Sequence, residues 1–498
     1  MLKDKDFPRG IKGRTPEDER ATANHWLTPS LIESEVKLRE RLTFKPGSIL
    51  LGTTGDTLIG RADDRHMLTV AGSRSGKGVS AIIPNLLDYP GSALIIDPKG
   101  ENATITALRR GRGGTDIKAI KDAVQPEAIV LDPYESVRGP AASLRGGFNP
   151  LDMLDVEDPV FIDDATQLAD MIVISNPKSH DPHFDQSARE LIKGLILYVC
   201  ATREGRARTL IEVNSLLRGS EQNLQSALIA MTKMTALEVG GAISAIAHSF
   251  AEKPERERGS VLSTARRHTE FLDSPAMRDV LSVSSFNWKD LKDKSISVYL
   301  CLPAGRFATH SRWLRLMIGQ ALEWMERYAK KPKYPVLFCM DEFPVLGHMQ
   351  ALALAAGQVA GFGVKLWPII QDITQLKAHY SDNWETFIGN TGVTQWFGNV
   401  DQSTLDYLSK MLGRITIPNI SLRKTTFDQN MRGQDGKSIS WQSVPLMEPH
   451  EIAQSFSRQS GAQIIAYAGL QPIALERLEY WRHPFFAGKF CKRPEEYA

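Results

Sequence analysis

The sequence has almost no net charge to offer a polyanion. Its 498 residues carry 60 Lys+Arg against 58 Asp+Glu, a balance of +2 at pH 7. No global basic field surrounds such a chain, so any contact with nucleic acid has to be a local patch. Cysteine is scarce as well. Cys200, Cys301, Cys339 and Cys491 are scattered, with no CxxC pair. Their spacing offers no zinc site and suits a reducing compartment. Long apolar runs are missing too. No stretch approaches the roughly 20 apolar residues of a membrane span. The first residues, "MLKDKDFPRGIKGRTPEDER", are charged and lack the apolar core of a signal peptide. The expectation is a cytoplasmic chain, or one attached to a membrane only through a partner. Internal repeats, low-complexity tracts, zinc-finger and helix-turn-helix signatures are also absent, which removes repeat folds and sequence-specific readout.

What is present is ordinary globular material, 42% hydrophobic and 24% charged. Short continuous apolar runs recur at "HMLTVA" (66–71), "SALIID" (92–97) and "EAIVLD" (127–132), with helical patterns between them. Such runs read as strands buried on both faces of a parallel sheet. From about residue 155 to 290 the period is almost wholly helical, as in "SARELIKGLILYVCATREG". Strands return with "SISVYLCL" (295–302), "PVLFCMDE" (335–342), "VKLWPII" (364–370), "GVTQWFG" (392–398) and "AQIIAYAG" (462–469). The expected fold is α/β, a P-loop domain interrupted by an all-α insertion.

Three motifs carry chemistry. The first is "AGSRSGKG", between an apolar strand and the helix "GVSAIIPNLL". It nearly writes the phosphate-binding loop of Gly, four residues, Gly-Lys and Ser or Thr. Gly72, Ser73, Arg74, Ser75, Gly76, Lys77, Gly78 and Val79 are the candidate nucleotide-binding residues. Successive backbone amides and the helix start form an anion site, and Lys77 adds a point charge for the β- and γ-phosphates. The pattern departs in two places. Ala71 stands at the first glycine, with Gly72 beside it, and Gly78 stands where a hydroxyl residue normally touches the metal. Ser80 lies about 200° further around a regular helix and should point away. A water fits the vacant coordination position, because Mg²⁺ usually keeps several waters. The second motif, "PVLFCMDEFPVLG", places Asp341 and Glu342 at the end of an apolar strand. There an Asp holds the metal shell and a Glu polarises the attacking water. A solvated acidic turn is the bland alternative. The third, "WPIIQDITQLKAHY", sets Gln371 at the carboxyl edge of a strand, where open α/β sheets gather ligands. A glutamine there can bond the γ-phosphate, or simply cap a helix.

"HMLTVAGSRSGKGVSAIIPNLLDYPGSALIIDPKGE", "MDEFPVLG", "IIQDITQLK" and "GNVDQSTLDYLSKMLGRIT" together resemble the type IV secretion coupling proteins, conjugative DNA-transfer ATPases related to FtsK-like and HerA-like ring motors. The resemblance runs over nearly the whole chain. It implies a RecA-like motor domain with an inserted all-helical domain. It implies ATP and Mg²⁺ as cofactors and a homo-hexamer. It implies delivery of relaxase-bound single-stranded DNA, or effector proteins, to the components of a secretion channel. The DNA would be held without sequence preference. Under it, Lys77 matches the P-loop lysine, Asp341 and Glu342 the Walker B pair, and Gln371 the sensor glutamine. "DPKGE" (97–101) matches a family stretch, which would bring Asp97 or Lys99 near the nucleotide; both dipeptides are also ordinary turn formers. Arg315, Arg414 and Lys365 are bare candidates for a cation reaching a neighbouring subunit.

The expected division is an arm over 1–45, a nucleotide-binding domain in two parts over 46–152 and 291–498, and a helical insertion over 153–290. Most family members begin with transmembrane helices. Their lack here implies a truncated chain or an anchor supplied by another protein. Local basic runs at 109–114, 203–208, 256–268 and 330–333 would line a channel if repeated around a ring. Two other functions share these features: a nucleotide-gated receptor without motor activity, and a soluble DNA-translocating ATPase.

Overall fold

The computed structural model of the protein describes residues 26–27, 32, 36–174, 182–235, 239–422 and 437–497. The arm expected over 1–45 lies outside them up to residue 25. Its helix is Val36–Leu42.

In chain order the strands begin with β1 (Ile49–Thr54), β2 (Thr57–Arg61), β3 (His66–Ala71), β4 (Ala93–Asp97) and β5 (Pro126–Leu131). After a long helical stretch come β6 (Ser295–Cys301), β7 (Val336–Asp341), β8 (Val364–Ile370) and β9 (Thr391–Phe397). The last are β10 (Arg414–Leu422), β11 (Lys437–Pro445), β12 (Ala462–Tyr467) and β13 (Ile473–Glu476). The chain divides into two compact units, Met1–Asn85 with Ile369–Phe485, and Leu86–Pro368 with Phe486–Ala498.

In the first unit the strand order is β2-β1-β13-β12-β9-β3. β3 runs parallel to β9 and to the end of β8, where Val70 pairs with Ile370. The other four are antiparallel. β1 and β2 turn on Gly55 and Asp56, with Gly55 at φ 55°. A two-residue glycine turn is the usual hairpin connection. β10 and β11 form a separate antiparallel hairpin.

In the second unit β7, β4, β6 and β5 lie side by side, all parallel. Every residue of β4 is buried, which is why these strands read as unbroken apolar runs rather than alternating ones. Between β5 and β6 the described residues hold no strand. Helices Phe161–Ile172, Pro182–Thr202, Leu210–Arg218, Glu221–Thr232, Ala242–Ala251 and Glu255–His268 fill that interval. The long helix Pro182–Thr202 is their axis, burying Ala188, Leu191, Ile192, Leu195, Ile196 and Val199. Its first turn carries Asp185, buried, accepting from His268 Nε2 and Arg267 Nη2 at 3.0 Å each. That acceptor ties it to helix Glu255–His268. Burial and the neighbouring Arg312 push the His268 pKa down, Asp185 opposing them.

Candidate functional site

The loop after β3 begins at a glycine with no room for a side chain. A Cβ on Gly72 would stand 1.9 Å from the Gly398 carbonyl oxygen. The Gly72 amide donates to the Phe397 carbonyl at 3.1 Å. Gly72 is therefore the glycine that presses the loop onto the end of β9, and Ala71 is the last strand residue. Arg74 (φ 55°) and Gly76 (φ 90°) both sit in left-handed backbone. The Ser75 amide closes onto the Gly72 carbonyl at 3.1 Å. Alternating backbone hand of this kind is the pattern found in anion-binding nests. Lys77 follows, half-buried.

The helix that opens there starts irregularly. Residues Gly78–Ile82 are wound as a π-helix, with the Ile83 amide bonding five residues back to Gly78, before Ile83–Asp88 continues as α. Its first rung is the Ser80 amide to the Gly76 carbonyl at 2.9 Å. The amides of Gly78 and Val79 precede that rung and point out of the helix start. Single π-turns are frequent at functional sites. The Ser80 hydroxyl donates back to the Gly76 carbonyl at 2.8 Å, so it does not replace the hydroxyl missing at 78. A Cβ at Gly78 would meet nothing within 4 Å. That position is open, with room for a water or for a larger side chain.

Gln371 follows Ile370, beside β3. The Gln371 carbonyl accepts from Asn399 Nδ2 at 3.0 Å. The helix cap is its neighbour Asp372, whose side chain accepts from the Gln375 amide at 3.2 Å. The first unit thus brings Gln371, Asn399 and the loop to one edge.

In the second unit Asp341 ends β7 and Glu342 follows it at φ 80°. Left-handed backbone at a non-glycine residue carries roughly 1–3 kcal/mol of strain, and such residues cluster at functional sites. Arg315 holds the turn in place, donating from Nη1 to the carbonyls of Leu346 and His348, the latter at 2.8 Å. It is buried and serves its own chain. Lys365 is buried within β8. Arg414 pairs across the hairpin with Ser443 at 3.0 Å.

The β4–β7 register, Ile96 opposite Met340, sets Asp97 beside Asp341. Asp97 is fully buried and its pKa is pushed up to about 7, chiefly by burial and with a contribution from the Asp341 charge. Its carboxylate accepts the amides of Ala103 at 2.8 Å and Lys99 at 3.3 Å. Glu101 is also raised, by burial above all and by Asp341 among its neighbours. The turn residue Gly100 (φ 68°) has no space for a Cβ, which would stand 2.8 Å from Ser136. "DPKGE" is thus a tight turn anchoring helix Glu101–Arg110.

A cavity of about 590 Å³ opens beside the loop in the first unit. Arg74, Gly76, Val79 and Ser80 form one wall; Arg458, Arg477, Arg482 and His483 belong to the other. This second wall had no motif to announce it.

The chain has relatives among known proteins. Residues 27–495 match the family model for conjugative DNA transfer by the type IV secretory system. The chain belongs to that family. It is 29% identical over 456 residues to the conjugal transfer protein TraG of Escherichia coli, covering 85% of this chain and 68% of that protein. Identity to VirD4 of Agrobacterium fabrum is 26% over 436 residues, covering 84% of this chain and 58% of that protein. Among solved structures, the coupling protein TrwB in complex with the ATP analogue ADPNP aligns with a TM-score of 0.65 at 14% identity. That alignment covers 95% of this chain and 96% of TrwB. The α/β fold expected from the strand pattern, RecA-like by the family resemblance, is the fold shared with TrwB. As a member of the conjugative DNA-transfer family the chain is a coupling ATPase of the P-loop class. No helix among the described residues is long and apolar enough to cross a membrane.

Proposed function

We propose that the chain hydrolyses ATP at the loop Gly72–Val79 to drive DNA, or DNA-bound protein, toward a type IV secretion channel. The observation that carries this reading is the loop itself. Its glycine is pressed against Gly398, two residues are left-handed, and a helix opens from it. A loop of that shape suits a bound anion. The cavity beside it has the size of a small-molecule site. Lys77 neutralises phosphate charge. Glu342 orients the attacking water and takes its proton. Gln371 contacts the γ-phosphate. Mg²⁺ supplies charge neutralisation at the phosphates when bound, and Asp341 is the residue to hold it. The open space at Gly78 fits a metal that keeps waters in place of a protein hydroxyl.

The domain division is nucleotide-binding over 46–152 and 291–498 and helical over 153–290. The helical part presents relaxase or effector proteins, and the chain works as a hexamer on single-stranded DNA without sequence preference. A partner holds it at the cytoplasmic face of the inner membrane. Steady-state ATP hydrolysis with and without single-stranded DNA, beside Glu342→Gln, tests this. DNA should raise turnover, and the variant should bind ATP yet lose at least about 10²-fold in kcat. Binding without turnover at any protein or DNA concentration would leave a nucleotide-gated receptor instead.

A further inference from the structure

Arg477 stands 402 positions from Ser75 in the chain, just past β13, and its guanidinium reaches the phosphate loop. Nη1 donates to the Ser75 carbonyl. Nη2 donates to the Arg458 carbonyl at 2.6 Å and the Ser457 carbonyl at 3.4 Å. The guanidinium carbon lies 5.0 Å from the centre of the Phe397 ring. Its own backbone amide is fixed to the Gly461 carbonyl at 2.7 Å. One planar cation therefore joins three pieces: the loop, the turn at 457–458, and the end of β9. Burial pulls its pKa down, partly opposed by Glu479, but an arginine stays charged.

The bond to Ser75 matters because of what lies on the other side of that peptide. The peptide is planar and trans, so the Ser75 carbonyl and the Gly76 amide point in opposite directions. Holding the carbonyl toward Arg477 aims the Gly76 amide the other way. Gly76 has φ 90°, and glycine adopts either sign of φ at similar cost. Nothing in Gly76 itself selects one orientation of this peptide. The helix does not select it either, since its first rung accepts at Gly76 rather than Ser75. Arg477 does.

We propose that Arg477 is a positioning residue for nucleotide binding, fixing the Ser75–Gly76 peptide with its amide turned toward the phosphates. The inference rests on the nucleotide reading of the loop. Lysine is a poor substitute, because only a guanidinium reaches two separate carbonyls with two nitrogens in one plane.

The test is binding of the fluorescent nucleotide mant-ADP to the full chain, with Arg477→Lys and Arg477→Ala beside it. The thermal shift each protein gains from ADP is read against its own ligand-free Tm. Affinity should fall about ten- to a hundredfold in Arg477→Ala, the loss expected for a charged hydrogen bond. Arg477→Lys should lose less. Added methylguanidinium should restore part of the Arg477→Ala loss, a rescue that a general packing defect does not show. If the alanine variant does not fold, the lysine variant decides. A folded variant that binds mant-ADP with wild-type affinity overturns the inference and leaves the nucleotide site standing. A wild-type chain that binds no mant-ADP removes the site, and the inference with it.

Discussion

Gly78 is where one residue sets a chemical property of the site. A side chain there meets nothing within 4 Å, so Gly78→Ser should fold. Removing a glycine from a helix start stabilises it by a few tenths of a kcal/mol, and Tm should rise slightly. The new hydroxyl would stand at the usual metal-ligand position. The Mg²⁺ concentration for half-maximal ATP hydrolysis should then fall several-fold, with kcat changing less. An unchanged magnesium requirement would mean that water already fills the position as well as a hydroxyl does. Asp97 makes a prediction about pH. Its folded pKa of about 7 lies above the ordinary carboxylate value. Below pH about 4 both folded and unfolded chains hold the proton. As pH rises from there toward 7 the unfolded chain releases it first, so stability falls across that window. The two amides bond different oxygens of Asp97. Asn keeps one acceptor oxygen and carries no charge. It loses one amide partner at every pH and removes the charge penalty only where the carboxylate ionises. Asp97→Asn should therefore compare better with the wild type at pH 8 than at pH 5, checked by denaturant unfolding in EDTA. A stability difference independent of pH would show that Asp97 is ionised in the fold.

Elements were legible where burial on both faces made them uniform. "HMLTVA" and "VKLWPII" are β3 and β8 to the residue, and "SALIID" differs from β4 by one. β1, β2 and β13 give weaker runs, each for its own reason. β1 holds Gly52, β2 is partly exposed, and β13 has four residues. The Gly55–Asp56 pair between two apolar runs was a hairpin signal that went unread. β10 and β11 carry polar residues throughout and gave no apolar run. At the loop, the glycines and Lys77 were visible because their conformation is local. Gly398, Asn399 and Arg477 were not, since each acts through a contact made only when distant strand ends meet. The same logic applies to the helices. Asp185 and His268 are ordinary residues in sequence, yet they join two helices across a buried bond of 3.0 Å. Asp185→Ala leaves His268 and Arg267 without that acceptor. It should cost about 2–4 kcal/mol, as breaking a buried charged network does. Thermal unfolding measures it, and a change below 1 kcal/mol would show that the two helices do not depend on that bond.

On the scale of the whole molecule, the basic runs that looked available for DNA are mostly engaged within the chain. Arg109 donates to the carbonyls of Leu87 and Lys118, and Arg110 to those of Leu86, Tyr89 and Gly91. Arg208 bonds the Leu154 carbonyl, Arg266 that of Leu217, and Arg267 pairs with Asp185. Arg112, Arg206, Arg256, Lys331 and Lys333 are exposed, on a chain whose net charge is +2. A single copy therefore presents few phosphate contacts, and its hold on DNA should be weak and strongly screened. Copies arranged around one strand multiply those contacts without any new residue. If the chain acts as a ring, DNA-stimulated ATP hydrolysis per protomer should rise with protein concentration rather than stay constant. Stimulation should also fall roughly tenfold or more between about 50 and 200 mM salt, the loss expected when a few phosphate contacts are screened. Hydrolysis without DNA should be much less salt-sensitive, because it needs no contact with a DNA backbone. Turnover per protomer that is flat in protein concentration, with salt-insensitive DNA stimulation, would instead place DNA on a single copy through apolar or stacking contacts.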